Sequence, residues 1–433
     1  MVSPHFPPDS TGGTHRVRLL APRLREHGWE PTVLTVDPRD YEGTLDPALA
    51  DSVPKDLRVV RARAWPVGLT RFAGIGDLGL RAFNGLRREA SRLLAREHFD
   101  VVFITIYPAY TALLGPLLKR RFHVPFVLDY QDPWVGEWGK SVGPGADGRP
   151  DLRSRISRAV ASRLEPLALR AADAITAVSR GTYEPALRRN PDAAPLMTEE
   201  LPIGWDDRDF DALGERPASG RDDSLVRIAC IGTLPPTMTD AVEAVFDAVR
   251  RLRQRDAGGA RRLRIEFLGT SNQRSAGAAP RALGLANAFA LQDLVTETPG
   301  RLDYFDALRA FRDADALLLL GTSEAHYTPS RIFAALNSSR SLLALYHADS
   351  PVTDLLRRFG GPPSVRLITY DDVRPARSCV EELCTALGDL ARQPAFDPRA
   401  VDRGVLCDSS AAMLAGRLAG VFQRVSATEG VPT

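Results

Sequence analysis

Residues 317–345 read LLLLGTSEAHYTPSRIFAALNSSRSLLAL, and this stretch decides the fold. Leu317–Leu320 is an apolar run too short for a surface helix, so it reads as a buried parallel strand. Thr328 followed by Pro329 predicts a helix start, with a hydroxyl cap and a proline at the first helical position. Ile332, Phe333 and Leu336 share one face of that helix. Asn337-Ser338-Ser339 ends it, and Ser341–Leu345 is a second apolar strand. Strand, loop, helix, turn and strand in this order make a parallel α/β unit. The amides of Ser330 and Arg331 crown a helix N-terminus, where unpaired donors and the helix dipole favour an anion. Arg331 adds a planar positive fork suited to phosphate. Two readings stand: a diphosphate cradle, or an ordinary capped helix with its Arg in solvent.

The same alternation extends in both directions over 433 residues, a length for two or three domains. Upstream, Pro4 to Gly13 is a Pro- and Gly-rich loop, Thr14–Gly28 has helical spacing with a Gly stop, and Pro31–Val36 is a strand. Gly12 and Gly13 allow close backbone approach to a ligand, or simply make a tight turn. Met1–Ser3 offers about three residues to an opening strand that normally takes ~5, so the native start is expected upstream. Strands are predicted at Val59–Arg63, Asp100–Thr105, Pro125–Tyr130 and Ala174–Val178. Asp129 and Asp132 stand at a strand's carboxyl end, where open α/β sheets bind ligands, although Asp132-Pro133 is equally a turn starter.

Gly136–Pro150 reads as a mobile loop. A second set of elements follows Val226–Ile231. The predicted fold is α/β, with two Rossmann-like doubly wound parallel-sheet domains facing across a cleft. Residues 1–210 form the first, 211–224 a linker and 225–408 the second, with helix 409–425 returning to the first.

Composition narrows the function. The net charge of +2 gives no drive toward nucleic acid. No lysine follows Lys140, so any later phosphate ligand is Arg or an amide. The four cysteines form no CxxC and no His clusters with them, which speaks against zinc and fits a cytoplasmic protein. No apolar run spans a bilayer. Residues 65–88 interleave Phe72, Leu78, Leu80, Phe83 and Leu86 with Arg. A solvated helix with an apolar core face is the favoured reading, and peripheral contact with the membrane's inner face is the alternative.

Several landmarks fall in a telling order. They are Phe6-Pro7-Pro8 through Gly12-Gly13 and His15-Arg16, then Gly28 to Leu34, Asp129 to Trp134, Ala177-Val178-Ser179, Leu201 to Asp206, Gly300-Arg301 and Ala314-Asp315-Ala316. Together they resemble the GT-B-fold glycosyltransferases, and glycosyltransferase family 4 in particular. The resemblance implies a retaining, metal-independent transferase without a cofactor. It would move a sugar from a nucleotide-diphosphate donor on the second domain to a glycan, lipid-linked or small-molecule acceptor on the first. It makes Asp132 and His326 the candidate catalytic residues. Gly12, Gly13, Arg274, Arg301, Thr328, Ser330 and Arg331 are the candidate donor-binding residues. Two departures stand out. Where the family places two Glu eight positions apart, this chain has His326 and Ala334, with Glu324 out of register. The family's basic pair after the second domain's first strand is absent, since Gly232–Val249 contains no Lys or Arg. Phosphate charge then falls on Arg331 first and Arg274 second. An epimerase or hydrolase on the same fold, and a binding protein without catalysis, are the rival readings.

Overall fold

A computed structural model describes residues 1–43, 45–72, 75–135, 152–214, 224–271, 279–325, 327 and 329–427. The chain forms two compact units, Met1–Gly204 with Ala411–Thr433, and Trp205–Ser410. Trp205–Gly214, placed on sequence in the first domain and the start of the linker, packs in the second unit. Phe210 and Leu213 lie against Phe305 and Leu308, and the Tyr304 hydroxyl donates to Asp209 at 2.7 Å. Residues 215–223 of the expected linker, and 136–150 of the expected loop, lie outside the described residues.

In the first unit every strand pairing is parallel. The strands are β1 (Thr32–Val36), β2 (Arg58–Ala62), β3 (Val102–Thr105), β4 (Phe126–Tyr130), β5 (Ala174–Ala177) and β6 (Met197–Glu200). Val2 bridges Leu34 of β1 and Ile104 of β3, both in parallel. It therefore joins β2-β1 to β3-β4-β5-β6, and the chain's first residues lie at the middle of the array. Alternation then buries both faces, as a parallel sheet requires. Leu34, Val36, Ile104 and Leu128 enter one core; Val33, Phe103 and Val127 enter the other. The second core is closed by helix Thr14–Leu24 and by helix Ala411–Ala427, whose Leu414, Leu418 and Phe422 recur at helical spacing. Gly28, at φ +79°, ends the segment after the first helix in the left-handed conformation that costs glycine least.

The second unit has β7 (Val226–Ile231), β8 (Leu263–Leu268), β9 (Val295–Thr298), β10 (Ala316–Leu320), β11 (Ser341–His347) and β12 (Val365–Tyr370). Their order is β12-β11-β10-β7-β8-β9, all parallel. This is the doubly wound order, with the first strand central and the winding direction reversing between β7 and β10. Successive residues of β7 again alternate, Ile228 and Cys230 into one core and Ala229 and Ile231 into the other.

The segment around residues 65–88 is in two parts. It is a short helix, Val67–Phe72, and then helix Leu78–Leu94 capped by Asp77. Arg81 is not on a surface face. It is buried, donating from Nε to the Trp65 carbonyl (3.0 Å), from Nη1 to Glu42 (2.8 Å) and from Nη2 to the Asp40 carbonyl (3.0 Å). Its burial is sustained by complete pairing. Leu78 and Leu86 are also inside, which leaves Trp65, Leu69, Phe72, Ile75 and Leu80 as the exposed apolar side chains.

Candidate functional site

A doubly wound sheet binds ligands outside the carboxyl ends of its strands, where the winding reverses. In the second unit that place is the end of β7 and β10. β7 runs into Gly232, whose φ is +107°. A Cβ there would sit 2.7 Å from Nη1 of Arg331. Glycine is therefore needed both for the turn and for the guanidinium that lies on it. Nη1 donates to the carbonyls of Ile231 (3.2 Å) and Thr233 (3.1 Å), and Nη2 approaches the Met238 sulfur at 3.8 Å. The half-buried guanidinium meets no carboxylate among the described residues. Nε and Nη2 keep donor capacity for an anion. Tyr346, near the end of β11, is 1% exposed, and its hydroxyl has no partner among the described residues. Burial pushes that hydroxyl's pKa up and keeps it a neutral donor.

The helix expected from Thr328-Pro329 begins later and is short, Arg331–Asn337. Ser330 is its cap residue but makes no side-chain cap bond. Ile332 N donates to the Pro329 carbonyl (3.1 Å) and Phe333 N to the Ser330 carbonyl (3.3 Å). These tight i to i+3 turns satisfy two amides locally and leave Pro329 outside the helix. The amides so taken are those of Ile332 and Phe333, not the two expected to face an anion, and the positive charge there is chiefly the Arg331 side chain. His326, Thr328 and Arg274 lie outside the described residues. Ala334, at the position of the family's second Glu, packs against the cores that hold Leu336 and Phe305. A carboxylate there would meet apolar neighbours, so Glu324 and Ala334 offer no equivalent of the paired Glu.

Two arginines from elsewhere in the chain reach the loop after β7. Arg331 bonds the carbonyls on either side of Gly232, and Nη1 of Arg281 bonds the Leu234 carbonyl. Sequence reasoning missed Arg281, which lies 47 positions from its partner and carries no local motif. Its neighbourhood is ordered by Glu297, which accepts from the backbone amides of Arg281 (2.9 Å) and Leu283 (2.8 Å) and from the Thr270 hydroxyl. Arg301 follows the end of β9 and is half-buried, beside Leu302, whose amide nitrogen comes near Gly269.

In the first unit, Gly12 stands in open space, whereas a Cβ on Gly13 would lie 2.2 Å from the Tyr107 ring. Gly13 therefore serves packing as well as any ligand approach. Asp129 is a structural residue. It is fully buried, accepts from Nε of Arg16 (3.0 Å) and the Thr176 hydroxyl (2.8 Å), and its pKa is pushed up by burial, only partly offset by Arg16. Asp132 is exposed just beyond β4, between the buried Tyr130 and Trp134 that fix its backbone. Among the described residues no three His, Cys, Asp or Glu side chains converge as a metal site, and no helix is long and apolar enough to cross a membrane.

The family model described as glycosyl transferase 4-like domain matches residues 11–198. No curated protein matches the sequence. Among solved structures the chain is similar to Anabaena Alr3699/HepE in complex with UDP-glucose, at 13% identity and TM-score 0.56, over 98% of this chain and 97% of that one. It is similar to the N-terminal domain of Candida albicans trehalose-6-phosphate phosphatase, at 11% identity and TM-score 0.59, over 95% and 92%. A third similar structure is a UDP-forming α,α-trehalose-phosphate synthase from Burkholderia vietnamiensis, at 8% identity and TM-score 0.51, over 81% and 79%. Likeness at these identities is likeness of fold, and it agrees with the strand orders above. Residues 11–198 thus resemble a glycosyl transferase 4-like domain, in a chain that has the GT-B fold.

Proposed function

We propose that the protein is a retaining, metal-independent glycosyltransferase that takes a sugar from a nucleotide-diphosphate donor held by the second unit. One observation carries the donor assignment: the Arg331 guanidinium at the winding reversal, beside the Tyr346 hydroxyl, with neither a counter-ion for the one nor a hydrogen-bond partner for the other among the described residues. Fixed cationic and hydrogen-bonding groups there would stabilise charge developing on the leaving diphosphate. Ser330, Arg281 and Arg301 lie in the same unit and are assigned supporting contacts, as are His326, Thr328 and Arg274. Gly12 and Gly13 are assigned to donor binding, and Asp132 to the acceptor side, where it orients the reacting hydroxyl. The acceptor is a glycan, a lipid-linked sugar or a small metabolite. A structurally similar protein was solved with UDP-glucose, which makes that the first donor to try. Labelled UDP-glucose and other nucleotide sugars should turn over only with added acceptor, at a rate unaffected by EDTA and with the anomeric configuration kept. Release of sugar without acceptor would make the protein an epimerase or hydrolase, and no turnover a binding protein.

We further propose that the reaction runs in the cytoplasm, with residues 65–88 meeting the membrane's inner face through their exposed apolar side chains. Free cysteines fit that compartment. Phe72 is 98% exposed and Leu69 68%, and an aromatic or aliphatic side chain of this size gains roughly 1.5–3 kcal/mol on leaving water. Full-length protein should co-sediment with liposomes containing anionic lipid, and Phe72→Ser with Leu69→Ser should reduce the bound fraction severalfold. Equal recovery of both proteins would remove this surface from consideration.

A further inference from the structure

Four helices cover one face of the first unit's sheet. Helix Leu78–Leu94 crosses from β2 to β3, helix Leu114–Phe122 from β3 to β4, helix Leu152–Leu169 from β4 to β5 and helix Arg180–Arg189 from β5 to β6. The strand order steps in one direction across these crossovers, so right-handed connections put all four helices on the same face. Their inner sides share one core, through Leu86, Leu118, Ala161, Ala168 and Ala186. Helix Leu78–Leu94 packs on helix Leu114–Phe122, and that in turn on helix Leu152–Leu169. Arg189 joins the last helix to Glu165 of the third at 2.9 Å.

Helix Leu152–Leu169 has small and apolar side chains on two sides. Ala161, Glu165 and Ala168 are buried at helical spacing and face the core. On the opposite side Ile156, Ala159, Val160, Arg163 and Leu167 fall on one helical face, and all five are exposed. Ile156 is 55% exposed and Leu167 58%. The outer face of a surface helix normally carries polar side chains, so an apolar stripe there is out of place in water. The stripe runs for about 16 Å at 1.5 Å per residue. The adjoining helix exposes Leu117 as well.

The charge on this layer is one-sided. The acidic residues of the four helices are Glu89, Glu165 and Glu184, and each is already in an ion pair, with Arg92 (2.7 Å), Arg189 (2.9 Å) and Arg180 (2.9 Å). Arg87, Arg88, Arg120, Arg121, Arg155 and Arg163 are exposed and meet no carboxylate among the described residues. The whole chain carries only +2, so the excess is local. Repulsion between like charges disfavours a second copy of the chain here. A polynucleotide offers phosphates but nothing for Ile156, Val160 and Leu167 to enter. An anionic bilayer offers both, phosphates across a broad layer of helices and an acyl boundary beneath them.

We propose that this helix layer docks on an anionic lipid bilayer, with Ile156, Val160 and Leu167 in the acyl boundary and Arg155 and Arg163 at the lipid phosphates. A helix lying in the interface buries its apolar face by roughly 5–10 Å, a depth its own side chains reach while its inner side stays packed on the sheet. The proposal goes beyond the contact at residues 65–88 and rests neither on that contact nor on sugar transfer. Helix Leu78–Leu94 begins inside that segment and belongs to the layer, so the two surfaces adjoin.

The test is sedimentation of the full chain with vesicles of phosphatidylcholine alone or mixed with phosphatidylglycerol. Binding is expected to the mixed vesicles only, and it should fall steeply with added salt. Arg155→Gln with Arg163→Gln should lower the partition coefficient about fivefold per charge removed. Ile156→Ser with Val160→Ser should lower it by about tenfold. The arginine variant breaks no ion pair among the described residues, so its loss of binding is not a loss of fold. Leu69→Ser with Phe72→Ser separates the two surfaces: the helix variants should lower binding in that background by the same factors. Wild type that ignores the phosphatidylglycerol vesicles overturns the proposal. So does binding that is unchanged in both helix variants, even where Leu69→Ser with Phe72→Ser abolishes it. Retention on immobilised polyglutamate by a protein that leaves the vesicles alone, lost in Arg155→Gln with Arg163→Gln, would assign the face to an acidic protein and overturn the lipid. Turnover of nucleotide sugars does not enter the readout, so a failure of the transferase reading leaves this result standing.

Discussion

Arg331→Ala is expected to weaken nucleoside diphosphate binding by about ten- to a hundredfold while leaving nucleoside binding nearly unchanged. The size follows from one charge-assisted contact, worth roughly 1.5–3 kcal/mol. The selectivity follows from position: the guanidinium lies at Gly232, at the end of the central strand of its sheet, where a diphosphate rather than a base would meet it. The change also releases the Ile231 and Thr233 carbonyls, so the loop that faces the ligand loses its tether. Arg331→Lys should rescue only part. An ammonium has no planar fork with which to bridge two carbonyls and present further donors to phosphate. Arg281→Ala should cost less, because its side chain is exposed and reaches one carbonyl only. Ala334→Glu is not expected to add a ribose contact, since that position packs against Phe305 and Leu336 and a carboxylate would be desolvated there. Calorimetry with a nucleoside diphosphate and its nucleoside decides the matter. Equal diphosphate affinity in wild type and Arg331→Ala would place the donor elsewhere.

The parallel strands of both sheets were legible because burial on two faces writes itself as short apolar runs. Val226–Ile231 and Leu317–Leu320 are such runs, and they lie as strands very nearly where the pattern puts them. The start of helix Arg331–Asn337 was not legible. Thr-Pro marks a cap by local chemistry, whereas the helix began later because Pro329 and Ser330 close tight turns with Ile332 and Phe333. Arg331 could be singled out from the sequence by elimination, since no cation stands in Gly232–Val249. Its partners at Ile231 and Thr233, a hundred positions away, could not. The contact of His5 Nδ1 with Asp9 Oδ2, at 2.8 Å, was invisible for a different reason: its members are four apart in a Pro-rich loop with no periodicity. Asp129 shows the opposite case. A carboxylate at a strand's carboxyl end looked available for ligand, and the fold uses it to hold Arg16.

Removing either partner of that pair should be the most destabilising single change in the first unit, at about 3–5 kcal/mol. Arg16 and Asp129 are both fully buried, and their contact is one link in a longer chain. Nη1 and Nη2 of Arg16 donate to the carbonyls of Pro202 (2.9 Å) and Leu201 (2.6 Å), while Asp129 also accepts from Thr176 on β5. The network therefore ties helix Thr14–Leu24 to β4, β5 and the residues that leave this unit. Arg16→Met strands a carboxylate in an apolar interior, and Asp129→Leu strands a guanidinium. The double variant removes both charges and should recover much of the loss, but not all, because two carbonyls then lack their donor. The pH dependence has a definite sign. Burial has already raised the Asp129 pKa above its unfolded value, so its share of stability is fully present below the unfolded pKa and is lost as pH rises through the folded one. Without Arg16 the pKa rises further, so the Arg16→Met deficit should shrink as pH falls through these raised values, before the ordinary carboxylate range is reached. Hydrogen exchange on the full chain, read over β4 and β5, measures the effect in this unit alone. Single variants that exchange within about 1 kcal/mol of wild type, where a surface change would fall, would mean that the pair is not what holds the helix to the sheet.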